Sequence, residues 1–205
     1  MSEVTPDPRI LVLAGPTGVG KTACALALAR RLDGELIGAD SVQVYRGFDI
    51  GSSKPTAAEL GGVPHHLIDI RKPTELLDAA DYAGLADRAI ADVARRGKLP
   101  IVVGGTGLWL RALLRGLVQV PAVDHALRGR LEAEWDEAGS SVMHARLQAV
   151  DPLIAARIHP NDKLRVVRAL EVHAQTGQPL GAARREHALG APRYLSLIYV
   201  LDLPQ

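Results

Sequence analysis

Eight residues near the start of the chain have the types and spacing of an anion-binding loop. Residues 15–22 read GPTGVGKT and match the pattern G-x-x-x-x-G-K-[ST] at every fixed position. Glycines allow backbone N–H groups to turn toward phosphate oxygens, and the helix that follows such a loop directs the positive end of its dipole at them. The residues predicted to bind a diphosphate or triphosphate are Gly15, Pro16, Thr17, Gly18, Val19, Gly20, Lys21 and Thr22.

Two side chains of this loop add specific chemistry. Lys21 places a mobile positive charge over the outer phosphates, and the hydroxyl of Thr22 is a ligand that Mg²⁺ accepts when the ion bridges those same oxygens. We therefore expect Mg²⁺ as the cofactor, held by Thr22. The motif by itself is typical of nucleotide-binding and ATP-binding proteins in general.

Asp40 is a further candidate for chemistry. Residues 35–39, ELIGA, predict a short buried strand that ends at Asp40. In open α/β sheets ligands bind at the carboxyl ends of the strands, which is also the edge of the phosphate loop. Three roles are open for Asp40: contact with the substrate, capping of the next helix, and coordination of magnesium. The position along the chain does not separate them.

The elements that must position these residues alternate between strands and helices over residues 1–120. Strand-like segments are RILVLA before the phosphate loop, ELIGA, LIDI at residues 67–70, and LPIVV, and helical patterns follow the phosphate loop and span Asp78 to Arg96. A second glycine turn, GGTG, places Thr106 beside the phosphate loop. The pattern predicts an α/β fold with a P-loop NTPase-like parallel sheet core.

The pattern changes beyond Pro121. Residues 121–190 show helical periodicity without strand-like runs and predict an all-helical insertion, in which Asp162 caps one helix and Gly177 ends it. Arg165 and Arg168 lie three positions apart, and they form either a basic face for phosphate or an ordinary solvated face. Residues 191–205 predict a strand that returns to the core sheet.

Composition narrows the class of protein. The chain has 205 residues, 47% of them hydrophobic, a formal net charge of +1 and a single cysteine, Cys24. These values predict a folded cytoplasmic protein without a disulfide framework, and the chain has no apolar run of membrane-spanning length. His65 and His66 have no Cys or His at metal-ligand spacing, so a structural role is favoured over zinc binding.

Two functions are open to a chain with a phosphate loop and Asp40 at a strand end. A small-molecule kinase would bind ATP in the phosphate loop and use Asp40 as its base, but the strand at residues 101–103 lacks the acidic residue that usually holds magnesium in nucleotide-hydrolysing relatives. A nucleotide-dependent switch or RNA-binding module would need no chemistry at all.

The motifs together resemble the bacterial tRNA dimethylallyltransferases, also called tRNA isopentenyltransferases. The similarity is carried by five segments in order: GPTGVGKT from Gly15, GADSVQVYRGFDIGSSKP from Gly38, VPHHLIDI from Val63, VVGGTGLWLRALL from Val102 and ARIHPNDKLRVVRALEV from Ala156. Each motif alone is shared by other proteins, whereas their combination and spacing are specific.

The resemblance implies transfer of the dimethylallyl group from dimethylallyl diphosphate to the N6 amine of adenosine 37 in tRNA. By this likeness the phosphate loop holds diphosphate as a leaving group, and Asp40, Thr106 and Lys21 are catalytic residues. The partners implied are the tRNA anticodon stem-loop and the diphosphate donor, the enzyme is expected to be a monomer, and the adenine is expected to leave its stack to reach the site.

The resemblance also assigns tRNA contacts to particular positions. They are Asp40, Ser41, Val42, Gln43, Thr106, Arg128, Leu164, Arg165, Val166, Val167 and Arg168. The chain departs from the family pattern at Lys163 and Leu164, where relatives often have Pro-Gln, so side-chain contacts there are in doubt. Family members also continue for roughly another hundred residues, and we expect that C-terminal part to be absent here.

Overall fold

The computed structural model describes residues 8–118, 120–181 and 191–202 of the chain. Contacts divide the chain into two compact units, a core unit of Met1–Leu117 and Ala191–Gln205 and a helical unit of Val118–Gly190. The sequence predicts changes of pattern after residues 120 and 190, the first of them three residues beyond the division at Leu117.

The core unit is built on a five-stranded parallel sheet with the strand order β3-β2-β4-β1-β5. Its elements are β1 (Ile10–Ala14), α1 (Lys21–Leu32), β2 (Gly34–Gly38), α2 (Ala57–Leu60), β3 (His65–His66), α3 (Ala79–Arg95), β4 (Leu99–Gly104), α4 (Gly107–Arg115) and β5 (Ser196–Val200). This arrangement confirms the predicted α/β parallel core.

Successive side chains of a strand point to opposite sides, and on β1, β2 and β4 both sides are covered, whereas the side chains of β5 are largely exposed. Leu13 and Leu36 pack with α1 in one apolar cluster. Val12 and Ile37, one position away on the same strands, pack with α3 and α4 in another, where Tyr82 stacks on a tryptophan ring. Because these strands are parallel neighbours, the carboxyl ends of β1, β2 and β4 meet at one edge of the sheet.

The strand predicted at residues 67–70 is wrong. The strand at this place is His65–His66, which pairs with Leu36 and Ile37 of β2. Leu67 and Asp69 have φ angles of 61° and 55°, a left-handed conformation that strands do not contain. The apolar composition of LIDI reflects half-buried turn residues that pack on the core and not a strand.

The helical unit consists of α5 (His125–Ala138), α6 (Ser140–Val150), α7 (Pro152–Ala155) and α8 (Lys163–Thr176) over its described residues. Local signals set these limits: the Asp162 side chain accepts a hydrogen bond from the Arg165 N–H at the start of α8, and Gly177 ends that helix with φ 67°. Leu131, Met143 and Leu170 lie in its separate apolar core. The predicted all-helical character is confirmed for residues 120–181, and residues 182–190 lie outside the described chain.

Among the described residues no helix combines the length and the apolar character needed to cross a membrane.

Candidate functional site

The phosphate loop connects the end of β1 to the first residue of α1. Gly18 and Gly20 have φ angles of 85° and 87°, which residues with a Cβ rarely adopt. Gly20 is the N-cap of α1 and no side chain caps that end. No side chain therefore caps the first-turn amides of this 12-residue helix, and a loop with left-handed glycines precedes them. Free amides at a helix N-terminus next to such a loop are the arrangement that binds anions.

Glycine is required at position 15 because the backbone beyond β5 passes close to it. Its φ is 148°, and a Cβ at this position would lie 2.3 Å from the carbonyl oxygen of Leu201, just beyond β5. The Leu201 N–H donates to the Ala14 carbonyl at 2.8 Å. The start of the phosphate loop is thus held between β1 and the end of β5.

Lys21 and Thr22 occupy the first turn of α1 and both are half-buried. The Lys21 Nζ donates to the Pro16 carbonyl at 2.7 Å, which folds the ammonium back over the loop. This bond leaves the charge in place above the glycines, where it can meet a phosphate oxygen.

A cavity of about 540 Å³ lies beside the loop, entirely within the core unit. Five of the eight predicted loop residues line it, namely Thr17, Gly18, Gly20, Lys21 and Thr22. Asp40 and Gln43, from the segment after β2, line the same cavity. The volume is that of an ordinary small-ligand site and accommodates a diphosphate with a short organic group.

Asp40 is half-buried two residues beyond the end of β2. Its Oδ1 accepts hydrogen bonds from the backbone N–H groups of Val42 at 2.9 Å and Gln43 at 3.2 Å. Its Oδ2 has no hydrogen-bond partner within the described residues. One carboxylate oxygen therefore fixes the turn that follows β2, while the other is left for a ligand.

Thr106 contacts the same turn from the start of α4. Its Oγ1 accepts from the Ser41 N–H at 2.9 Å, and its own N–H donates to the Ala39 carbonyl at 3.1 Å. Thr106 is not among the residues that line the cavity. The structure thus places Thr106 beside the Asp40 turn, which it holds, and the catalytic role assigned to it stays a prediction.

His65 is a cavity residue that the sequence interpretation missed. Both ring nitrogens are buried and have no hydrogen-bond partner in the described part of the chain. Burial, together with the neighbouring His66, lowers the pKa of His65 to about 4, so the ring is neutral near pH 7. No signal in the sequence identifies it, because the strand is predicted at residues 67–70 and two adjacent histidines do not tell which ring lines a cavity.

His66 points to the opposite face and has the structural role that the sequence predicts. Its Nε2 lies 2.7 Å from an oxygen of the buried Glu35, whose carboxylate also receives the guanidinium of Arg96. Hydrogen bonds from Arg96, which outweigh burial, lower the pKa of Glu35 to about 2. This ion cluster joins β2, β3 and the end of α3.

Metal binding by protein groups alone has no support in the described residues, where no cluster of three or more His, Cys, Asp or Glu side chains is positioned to hold an ion. Thr22 and Asp40 do line one cavity. A metal at this place would need oxygens from a bound ligand to complete its coordination.

In the helical unit, two predicted tRNA-contact arginines share one buried acid. Arg128 and Arg168 both pair with Glu171, whose side chain is fully buried, at 2.7 Å and 3.0 Å. Burial would raise the pKa of Glu171, but the hydrogen bonds from the two arginines and the Asp124 N–H lower it below its ordinary value. The two guanidinium groups are only partly exposed, and the single carboxylate balances one of their two positive charges.

The predicted contact run 164–168 divides between the surface and the interior of the helical unit. Leu164 is 80% exposed, and Arg165 is exposed beside Asp162. Val166 and Val167 are buried in the apolar core. Only the first two of these four side chains are on the surface, so contacts through the valine side chains are not available in this structure.

The match to a family model decides the relationship of this chain to known proteins. The model of the IPP transferases matches residues 43–205, most of the chain. The chain belongs to the IPP transferase family. Asp40 and the phosphate loop precede the matched residues, and the relatives described next extend the similarity over them.

Curated members of the IPP transferase family align over nearly the whole chain. A tRNA dimethylallyltransferase of Anaeromyxobacter sp. is 58% identical over 197 residues, 96% of this chain and 65% of the relative. A tRNA dimethylallyltransferase of Myxococcus xanthus is 50% identical over 198 residues, 97% of this chain and 64% of the relative. The chain thus spans about two thirds of the length of the curated relatives it matches.

Solved structures of the family agree with the fold. A tRNA isopentenylpyrophosphate transferase of Staphylococcus epidermidis is 34% identical with a TM-score of 0.58, covering 94% of this chain and 63% of its own. A eukaryotic dimethylallyltransferase, described as acting on tRNA, is 32% identical with a TM-score of 0.77, covering 95% of this chain and 48% of its own. These relatives have the P-loop NTPase-like core predicted from the sequence, and they are prenyl-group transferases and not kinases.

Proposed function

We propose that the protein transfers the dimethylallyl group of dimethylallyl diphosphate to N6 of adenosine 37 in tRNA and releases diphosphate. The observation that carries the proposal is the position of Asp40: it lines the same cavity as Lys21, Thr22 and the phosphate loop, and its Oδ2 has no hydrogen-bond partner within the described residues. A base and an anion-binding loop in one cavity are what this reaction requires. The names of the curated relatives and of the eukaryotic structure support tRNA as the acceptor.

The reaction assigns one role to each part of the site. The N6 nitrogen forms a bond to the allylic carbon as that carbon's bond to the diphosphate oxygen breaks. The N6 proton passes to Asp40, and the negative charge that develops on the diphosphate is met by Lys21 and the loop amides. An exocyclic adenine amine is a weak nucleophile, so its alignment with the allylic carbon contributes as much as proton removal.

Magnesium fits this site as a partner of the diphosphate. The Thr22 hydroxyl would hold the ion, and the donor's own oxygens would supply most of its coordination. When bound, the ion neutralises charge on the leaving diphosphate. Lys21 and the loop amides act on the same charge from the protein side.

We also propose that the protein works as a cytoplasmic monomer and binds the anticodon stem-loop. The single, unpaired Cys24 is compatible with a reducing compartment. For the helical unit, the exposed Leu164 and Arg165 are the side chains of the predicted contact run that a tRNA could reach.

Label transfer tests the proposal. The protein is incubated with tRNA, Mg²⁺ and dimethylallyl diphosphate labelled in the allyl carbons, and the tRNA is digested to nucleosides. We expect label in a modified adenosine next to the anticodon and release of one diphosphate for each group transferred. A folded protein that binds tRNA and the donor but leaves no label in adenosine would overturn the proposal.

A further inference from the structure

Lys54 lines the cavity, but its ammonium group bonds to acceptors of the protein itself. The side chain is 5% exposed, and its Nζ donates to Asp49 Oδ1 at 2.8 Å, to Asp69 Oδ1 at 2.7 Å and to the Tyr45 carbonyl at 3.0 Å. An ammonium has three N–H donors, and all three have partners here. Lys54 therefore differs from Lys21, because no N–H group of its ammonium is left to bind a phosphate.

Hydrogen bonds of the Gln43 side chain close a loop that forms one side of the cavity. The Gln43 Nε2 donates to the carbonyls of Ser52 and Ser53, at 2.9 Å and 3.1 Å, so the two ends of residues 43–54 are joined. We call this segment the 43–54 loop. Gln43, Ser52, Ser53 and Lys54 all line the cavity, so the geometry of the loop sets the shape of that wall.

Asp69 anchors the 43–54 loop to the turn after β3. Its N–H donates to the Gln43 carbonyl at 3.1 Å, and the next residue, Ile70, donates to the Val44 carbonyl at 2.9 Å. Asp69 has a φ of 55°, an unfavourable conformation for a residue with a side chain that persists where its surroundings enforce it. The bond from Lys54 to its carboxylate is part of those surroundings.

The loop is connected directly to the proposed base. The Gln43 N–H that ends the turn after β2 donates to Asp40 Oδ1 at 3.2 Å, while the Gln43 side chain holds the far end of the loop. A displacement of Gln43 would therefore rotate the Asp40 carboxylate. We propose that Lys54 is a positioning residue, which fixes the 43–54 loop to Asp69 so that Gln43 keeps Asp40 oriented toward the cavity.

The protonation of Lys54 is compatible with this role. Burial alone would lower the pKa of the Lys54 ammonium, but the hydrogen bonds to Asp49 and Asp69 outweigh it and raise that pKa above its ordinary value. The ammonium consequently stays charged throughout the neutral range.

Hydrogen exchange of the full 205-residue chain tests the effect of Lys54 on the loop. We expect the amides of residues 41–54 to exchange about tenfold faster in Lys54→Met, which keeps the volume but removes the charge, and Lys54→Arg to restore much of the protection. The matched control is Lys98→Met, which removes a more exposed lysine paired with Asp33 at 2.8 Å. It should leave these amides unchanged.

Unchanged exchange in Lys54→Met would overturn the proposal. If that variant does not fold, Asp69→Asn replaces it, since asparagine tolerates the left-handed conformation but removes one of the two charges that hold Lys54. It should give a smaller acceleration confined to the same amides, and no acceleration would contradict the proposal equally.

The consequence for catalysis rests on the proposed function and has its own measurement. In Lys54→Met, kcat per folded molecule should fall by about tenfold or more because the base is misplaced, and the KM for tRNA should change less than kcat, because the tRNA contacts predicted in the helical unit are untouched. A decrease that only follows the folded fraction, with normal loop exchange, would contradict a positioning role. If the unaltered protein transfers no label, the proposed function fails, but the exchange comparison still decides the role of Lys54.

Discussion

Gly104, the last residue of β4, lies so close to Ala39 that a Cβ atom at position 104 would be 2.2 Å from the Ala39 carbonyl oxygen. On the next residue, Gly105, a Cβ would lie 3.2 Å from the carbonyl oxygen of Gly15. The end of β4 is therefore the spacer between the Asp40 turn on one side and the phosphate loop on the other. The spacing between the Asp40 turn and the phosphate loop depends on two adjacent glycines.

Adding a methyl group at Gly104 should damage the site and the sheet together. We expect Gly104→Ala to lower the free energy of unfolding by about 2–3 kcal/mol, because the obstructing atoms are backbone and cannot rotate away. Urea unfolding measures the change. Gly107→Ala is the control, since a Cβ there meets no atom within 4 Å and the residue lies in the first turn of α4. Equal stability of the two variants would show that the strands can separate at no cost.

Removing the charge of Lys21 should weaken binding of the donor and spare binding of tRNA. A charge-assisted hydrogen bond to phosphate contributes about 1.5–3 kcal/mol, so Lys21→Gln should raise the Kd for dimethylallyl diphosphate by roughly 10- to 100-fold. Calorimetric titration measures the Kd. Lys72→Gln, which changes an exposed lysine elsewhere in the core unit, should bind the donor normally. An unchanged Kd in Lys21→Gln would remove Lys21 from the phosphate site.

Neutralising the buried Glu171 of the helical unit should lower the free energy of unfolding far more than neutralising an exposed glutamate. In Glu171→Gln, Arg128 and Arg168 lose their shared counter-charge, and we expect a loss of about 2–3 kcal/mol because both guanidinium groups are partly buried. Glu134→Gln breaks the exposed pair with Arg146 and should change stability by less than about 0.5 kcal/mol.

Tryptophan fluorescence can follow the helical unit by itself. The chain has two tryptophans, of which Trp135 is buried in the helical unit and Trp109 in the core unit. In a Trp109→Phe background, urea unfolding reports on Trp135 alone. Similar losses for the two glutamate variants would mean that Glu171 contributes no more than a surface ion pair.

The buried His65 should make stability depend on pH in the acidic range. Its pKa of about 4 in the folded protein lies below the ordinary value of 6.5, so between these values the unfolded chain binds the proton and the folded protein does not. The free energy of unfolding should therefore fall by up to about 3 kcal/mol as the pH decreases from 6.5 to 4, and stay constant above 6.5. His65→Asn should remove this slope, whereas the exposed His125→Asn should keep it. If the free energy of unfolding of His65→Asn still falls over this pH range, the pH dependence comes from another group.

Local chemistry explains what could be predicted from the sequence. The phosphate loop, the cap at Asp162 and the stop at Gly177 follow from residues adjacent in the chain, because turns and caps are made by neighbours. The position of β5 beside β1 is a contact between residues about 185 positions apart, and no short pattern encodes it.

The same difference holds within the site. Asp40 could be placed at the carboxyl end of a parallel strand from topology alone. The pairing of Lys54 with Asp69 depends on the left-handed turn at residues 67–69, where the sequence favoured a strand. The pairing of Arg128 and Arg168 with Glu171 could not be predicted either, because helical spacing shows which residues share a helix face but not which residues that face contacts.

Replacing the proposed base tests the central claim most directly. In Asp40→Asn the amide oxygen can still accept from the Val42 and Gln43 N–H groups, so the turn should survive while proton removal is lost. Label transfer from dimethylallyl diphosphate to tRNA should fall by about 100-fold or more with tRNA affinity unchanged, and the exposed Asp81→Asn control should transfer normally. Transfer at the normal rate by a folded Asp40→Asn protein would contradict the account.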